Sequence, residues 1–132
     1  MKALFDTAEE NNIEIYYSNT PLCKSIAITN HICMDYSLMW QGAEERVHLA
    51  HELGHCVTGS FYNRWAARDV RQRHENKADK WAIKKLVPKD ELLKAINSGN
   101  INIWDLADYF NVTEDFMKKA MHWYTYGNLA VE

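Results

Sequence analysis

The segment His51-Glu52-Leu53-Gly54-His55 concentrates metal-binding and proton-transferring side chains within five residues. On a helix, histidines at i and i+4 leave the same face about 6 Å apart. From that spacing two imidazole nitrogens can reach one zinc ion at roughly 2.0–2.1 Å each. Glu52 then points beside the pair, placed to take a proton from an attacking water without itself being a ligand. A chain of this composition would produce the pattern by chance roughly 0.02 times, so its occurrence is informative. The competing reading is a buried helix whose histidines bond backbone or carboxylate groups, and two buried histidines without such partners would be costly.

A catalytic zinc needs a third protein ligand and one open position. The segment His74-Glu75-Asn76-Lys77-Ala78-Asp79 supplies candidates. Glu75 and Asp79 are four residues apart and share a helix face, so Glu75 is the favoured ligand. Asp79 is then placed to accept the second ring N–H of a ligand histidine, orienting it and raising its basicity. The alternative is an exposed acidic pair bridging Lys77, Lys80 or Arg71. His74 is the weaker ligand candidate because it leaves the helix about 100° from Glu75. His48 lies about 10.5 Å along the helix from His55, too far to join the same tetrahedral site. Cys56 points about 100° from His55 and reads as a core residue rather than a nucleophile.

The elements that must position these groups follow from periodicity and punctuation. Lys2 to Asn12 reads as a helix, Ile13 to Tyr17 as a strand, and Asn19, Thr20 and Pro21 as a turn. Ser25 to Ile28 and His31 to Met34 read as two further strands, giving a small antiparallel sheet near the N-terminus. From Gln41 the pattern becomes helical, with Val47, Ala50, His51, Gly54 and His55 on one face and Leu49, Leu53 and Val57 on another. Gly59 is placed to end that helix in the left-handed conformation. A polar connection is expected from Ser60 to about Arg73, then a helix from His74 to Leu86 closed by Pro88. Asp90 to Ile96, Ile101 to Tyr109 and Thr113 to Tyr126 give three more helices, Thr113 serving as an N-cap. Strands first and helices after, without βαβ alternation, is an α+β pattern. A single domain over residues 1–132 is expected, with a helical subregion over about 101–126.

Composition sets the remaining bounds. The chain has 132 residues, 47% hydrophobic and 25% charged, the make-up of an ordinary folded domain. Such a length buries enough surface to hold a core without a structural metal, so a metal would be functional. With 15 basic and 18 acidic side chains the net charge is −3, which removes overall charge as a reason to expect nucleic-acid binding. Between Arg64 and Lys85, however, eight Lys and Arg face three acids. That stretch is either a solvated helix face or a hold for an acidic or extended substrate segment. Cys23, Cys33 and Cys56 are odd in number and match no disulfide or zinc-knuckle spacing, so reduced thiols and a cytoplasmic location are expected. The N-terminus has no apolar signal region, and every apolar run is too short for a membrane span.

Three segments in order carry a family resemblance: Arg46 to His55, Glu75-Asn76-Lys77-Ala78-Asp79-Lys80-Trp81-Ala82, and Leu86-Val87-Pro88. Together they resemble the ImmA/IrrE metallopeptidases, whose pattern pairs an HELGH helix with E-x-x-A-[ND]-x-F-A and a Leu-Leu-Met-Pro-like end. The sequence departs from it at Trp81, where phenylalanine is usual, at Lys84-Lys85 in a normally apolar stretch, and at His48. The resemblance implies a zincin-like helical fold and a Zn2+ endopeptidase with His51, His55 and Glu75 as ligands, Glu52 as general base and Asp79 beside the metal. It further implies the anti-repressor role of phage, mobile-element and stress-regulon members, which cleave a partner repressor carrying a helix-turn-helix domain.

A donor to the developing oxyanion is also needed, and the candidates are Tyr62 and His122. Residues 103–117 resemble a helix-turn-helix, but Asp105, Asp108, Glu114 and Asp115 would face DNA phosphates with only Lys118 and Lys119 to offset them. No direct nucleic-acid contact and no membrane association are expected. The alternative to a peptidase is a non-catalytic metal-binding regulator that inactivates a repressor by binding, and a DNA-binding module ranks third.

Overall fold

The computed structural model describes residues 1–19, 23–63 and 65–129. The expected turn through Thr20 and Pro21 and the head of the basic stretch at Arg64 fall outside the described residues. The elements run α1 (Lys2–Glu10), β1 (Glu14–Ser18), β2 (Ser25–Ile28), β3 (His31–Asp35), a 3-10 turn (Tyr36–Leu38), α2 (Ala43–Thr58), α3 (Arg68–Leu86), α4 (Lys89–Asn97), α5 (Ile103–Phe110) and α6 (Glu114–Tyr126). The α+β class expected from the sequence is the class observed. Among the described residues no helix is long and apolar enough to cross a membrane.

The sheet corrects one expectation. Its order is β1-β3-β2, and although β2 and β3 form an antiparallel hairpin, β1 runs parallel to β3, so the sheet is mixed rather than antiparallel. The hairpin is set locally, by Asn30 at φ 64° between β2 and β3. Six residues separate β1 from β2 in sequence, more than a two-residue hairpin turn, so the length of the connection does not dictate an antiparallel β1. The parallel pairing aligns Ile15 with Ile32 and Tyr17 with Met34, putting these four side chains on the face that meets the helices.

Helix α2 lies on that face. Leu49 and Leu53 are 0% exposed, as are Ile32 and Met34 of β3 and Leu4 of α1; burying such side chains is worth about 1.5–3 kcal/mol each. Gly59, at φ 66° and ψ 23°, ends α2 in the left-handed conformation expected of it. Helix α3 starts at Arg68, six residues before the expected start at His74. Its first turns carry Val70 as their only large apolar residue, so hydrophobic period gave no signal there. Asp69 in the first turn and a Gln72–Asn76 side-chain bond of 2.9 Å supply local support instead.

The packing of α2 on α3 depends on Gly54. A Cβ at that position would sit 2.5 Å from the Ala78 carbonyl oxygen and 2.9 Å from its Cα. Only glycine lets the two backbones approach this closely. The glycine inside the pentapeptide therefore sets how near the histidine face of α2 comes to the acidic face of α3. Helices α4 to α6 complete the core, with Thr113 capping α6 by accepting a 3.2 Å bond from the Phe116 N–H.

Candidate metal centre

Helix α2 presents His51 and His55 one turn apart, their rings 4.8 Å between centroids and nearly perpendicular at 86°. Helix α3 presents Glu75 opposite them. Glu75 Oε2 lies 2.6 Å from His51 Nε2 and 3.3 Å from His55 Nε2. One ligand atom from each of the three residues lies within 4.8 Å of the others. The structure thus brings together the two histidines and the carboxylate singled out in the sequence.

The outward ring nitrogens fix which nitrogen faces inward. His51 Nδ1–H donates to Asp79 Oδ1 at 2.7 Å, and His55 Nδ1–H donates to the Ser60 carbonyl at 2.6 Å. With Nδ1 committed as a donor on both rings, each Nε2 faces Glu75, where it donates to the carboxylate when protonated and offers its lone pair to a metal when neutral. Burial alone would raise the Glu75 carboxyl, but hydrogen bonds from His51, His55 and Tyr62 outweigh it and hold the group well below the usual carboxylate range. Two nitrogen lone pairs and an ionised oxygen converge on one point, which requires a cation. In the metal-free protein a proton serves: against the opposing effect of burial, the bonds to Asp79 and Glu75 push His51 up to about 10. A divalent ion satisfies all three donors at once, and the two-nitrogen, one-oxygen set suits zinc. The residues present therefore fit a metal of this kind.

Glu52 is 5% exposed and lines the same cleft as the three donors. Burial raises its carboxyl above the ordinary range. The cleft has a volume of about 530 Å³ and is walled on one side by β2. Tyr62 enters it from the connection after α2, donating from Oη to Glu75 Oε1 at 2.6 Å. That bond, then burial, pushes the phenol up to about 12. Of the two oxyanion candidates, Tyr62 is in the cleft and His122 is not. His122 donates from Nδ1 to the Asn128 carbonyl at 3.0 Å and lines a separate cavity on α6.

The other histidines fall outside the donor cluster. His48 lines the cleft with Nδ1 3.1 Å from Ser25 Oγ, while His74 stacks on Tyr62 with ring centroids 6.2 Å apart. Two groups bonded to His55 and to Asp79 carried no usable sequence signal. Ser60 acts through its carbonyl, which the turn at Gly59 aims at His55. Lys119 lies 40 residues from Asp79 and meets its Oδ2 at 3.0 Å.

Comparison with curated proteins gives no match, and comparison with solved structures gives none. A family model does match: peptidase M78, described as the IrrE N-terminal-like domain, over residues 41–122. That span begins just before α2 and includes α3, and with them every donor of the cluster. The chain belongs to this family, the metallopeptidases of the ImmA/IrrE type.

Proposed function

We propose that the chain is a zinc-dependent endopeptidase that acts in the cytoplasm on a partner regulatory protein, a transcriptional repressor with a helix-turn-helix domain. The convergence of His51, His55 and Glu75 on one point beside a buried Glu52 carries this reading. In it the three converging residues hold zinc, Glu52 is the general base, Asp79 orients His51, and Tyr62 supplies the oxyanion donor. Zinc, when bound, supplies Lewis acidity to the scissile carbonyl and to water.

The protein's own groups do the rest. Glu52 takes the proton of the attacking water and returns it to the leaving amine, a task suited to a carboxyl raised by burial. Tyr62 releases Glu75 Oε1 as substrate enters and donates its O–H to the oxygen that gains charge. Strand β2 is an outer strand of the sheet and walls the cleft, so an extended substrate segment can pair along its free edge. Arg68, Arg71, Arg73 and Lys77 are exposed along the first turns of α3, which favours a substrate segment with acidic character.

The test mixes the zinc-loaded protein with the repressor encoded beside its gene and identifies fragments by mass spectrometry. Specific cleavage by the wild type is expected. Glu52→Gln should keep zinc and fold but lose roughly 100- to 10,000-fold in rate, the worth of a general base. Repressor released from its operator equally by wild type and Glu52→Gln, without fragments, would instead establish a non-catalytic binding regulator.

A further inference from the structure

We infer that Lys119 of α6 is a positioning residue for the metal centre, acting through Asp79 on His51. The inference rests on His51 being a zinc ligand, as proposed above, and adds a group from outside the two helices that carry the cluster. Lys119 Nζ donates to Asp79 Oδ2 at 3.0 Å, and Asp79 Oδ1 accepts from His51 Nδ1 at 2.7 Å. The two oxygens of one carboxylate thus hold a lysine from α6 and a histidine from α2, while the carboxylate itself belongs to α3.

Several features make this more than a surface ion pair. The Asp79 side chain is only 12% exposed although Lys119 reaches it from the solvent side at 41%, so the carboxylate depends on its two bonded partners for most of its solvation. When His51 is neutral and bound to metal, its N–H is a dipole and Lys119 is the nearby full positive charge bonded to Asp79. The lysine also fixes the rotation of the carboxylate, because a planar group held at both oxygens cannot turn Oδ1 away from the ring. Its own origin is firm: Phe116, Met117 and Ala120 of α6 are buried around it, and Tyr124 Oη donates to the Val87 carbonyl at 2.7 Å. The C-terminal helices therefore contribute to the metal site by setting the aim of one ligand.

Four variants test this: Lys119→Met, which keeps the length and loses the charge, Lys119→Arg, Asp79→Asn, and Asp79→Asn combined with Lys119→Met. The first readout is the zinc dissociation constant measured by chelator competition. The direct partner of a metal-bound histidine is worth about 10- to 100-fold in affinity; Asp79→Asn should lose in that range, and Lys119→Met, acting through Asp79, should lose a part of it that exceeds about twofold. Lys119→Arg should recover most of the loss. In the Asp79→Asn background, Lys119→Met should cost no further affinity, since its effect passes through Asp79. The second readout is the His51 Nδ1–H proton resonance in metal-free protein, which should be visible in the wild type and Lys119→Arg and broadened or absent in Lys119→Met. Zinc affinity within twofold of wild type in Lys119→Met, a loss fully additive with Asp79→Asn, or an unchanged His51 resonance each overturns the inference. Zinc binding without cleavage of any repressor would defeat the peptidase reading and leave both readouts valid. If the wild type failed to bind zinc, the inference would be overturned together with the metal site, a result distinct from wild-type binding with unchanged affinity in Lys119→Met.

Discussion

Substituting Gly54 by alanine perturbs the spacing of α2 and α3 at the point where it is tightest. The added Cβ would lie 2.5 Å from the Ala78 carbonyl oxygen, whereas ordinary contact begins near 3.4 Å. The helices must separate there by about 0.9 Å, the difference between those two distances. The obstacle is backbone, so no rotamer change relieves it, and overpacking of this kind costs about 3 kcal/mol at the upper end of its range. Alanine regains about 1 kcal/mol of helix propensity over glycine, leaving a net loss of about 2 kcal/mol. For a chain of this size that lowers Tm by roughly 6–8 °C. Zinc affinity responds independently of stability. Gly54 adjoins His55, the third donor is on the opposite helix, and metal–ligand distances tolerate only about 0.2 Å. Thermal melts with chelator present, followed by zinc competition titrations, separate the two effects, and at least a 10-fold loss of affinity is expected. A Gly54→Ala protein that melts at or above the wild-type temperature with unchanged zinc affinity would refute the close approach and the geometric role of the pentapeptide glycine.

Other expectations follow from the same geometry. At pH 7.5 the metal-free site holds a proton on His51, whose pKa stands near 10, so zinc binding should release about one proton per ion; calorimetry in buffers of different ionisation enthalpy counts it, and a count near zero contradicts the protonated pair. In chelator, the raised His51 stabilises the fold fully below its unfolded value near 6.5 and loses that contribution as pH rises through about 10. The lowered Glu75 acts oppositely, its contribution being present above about 4.5 and lost on acidification. Metal-free Tm should therefore fall between pH 6.5 and 10 in the wild type and be flatter in His51→Ala; parallel curves for the two would refute this. Tyr62→Phe should lower kcat by roughly 100-fold with zinc retained, and unchanged kcat would remove Tyr62 from the mechanism. Thr113→Ala should cost about 1 kcal/mol through loss of the α6 cap, read as a lower Tm with zinc affinity unaltered.

How far the sequence could carry these conclusions depended on the range of the interactions involved. His51, Glu52 and His55 are legible because one helix turn fixes their relation, and Glu75 and Asp79 because a second helix repeats the spacing. Caps such as Gly59 and Thr113 are likewise local. The direction of β1 was not legible: six residues separate it from β2, too many for a two-residue turn to dictate the pairing, and its parallel partner is β3. The early start of α3 was hidden because polar residues carry its first turns. Ser60 meets His55 through a backbone carbonyl, which leaves no mark in residue type, and Lys119 meets Asp79 only across 40 residues of chain. His122 shows the converse, since its residue type suited an oxyanion donor but α6 points it into a different cavity.

The most direct test of the central claim is X-ray absorption spectroscopy of the protein loaded with one equivalent of zinc. The convergence of His51, His55 and Glu75 predicts stoichiometric binding and a shell of nitrogen and oxygen only, at about 2.0–2.2 Å, with two imidazoles resolved by their outer-shell scattering. A sulfur contribution near 2.3 Å, which would bring in a cysteine such as the neighbouring Cys56, or a shell with fewer than two imidazoles would contradict it.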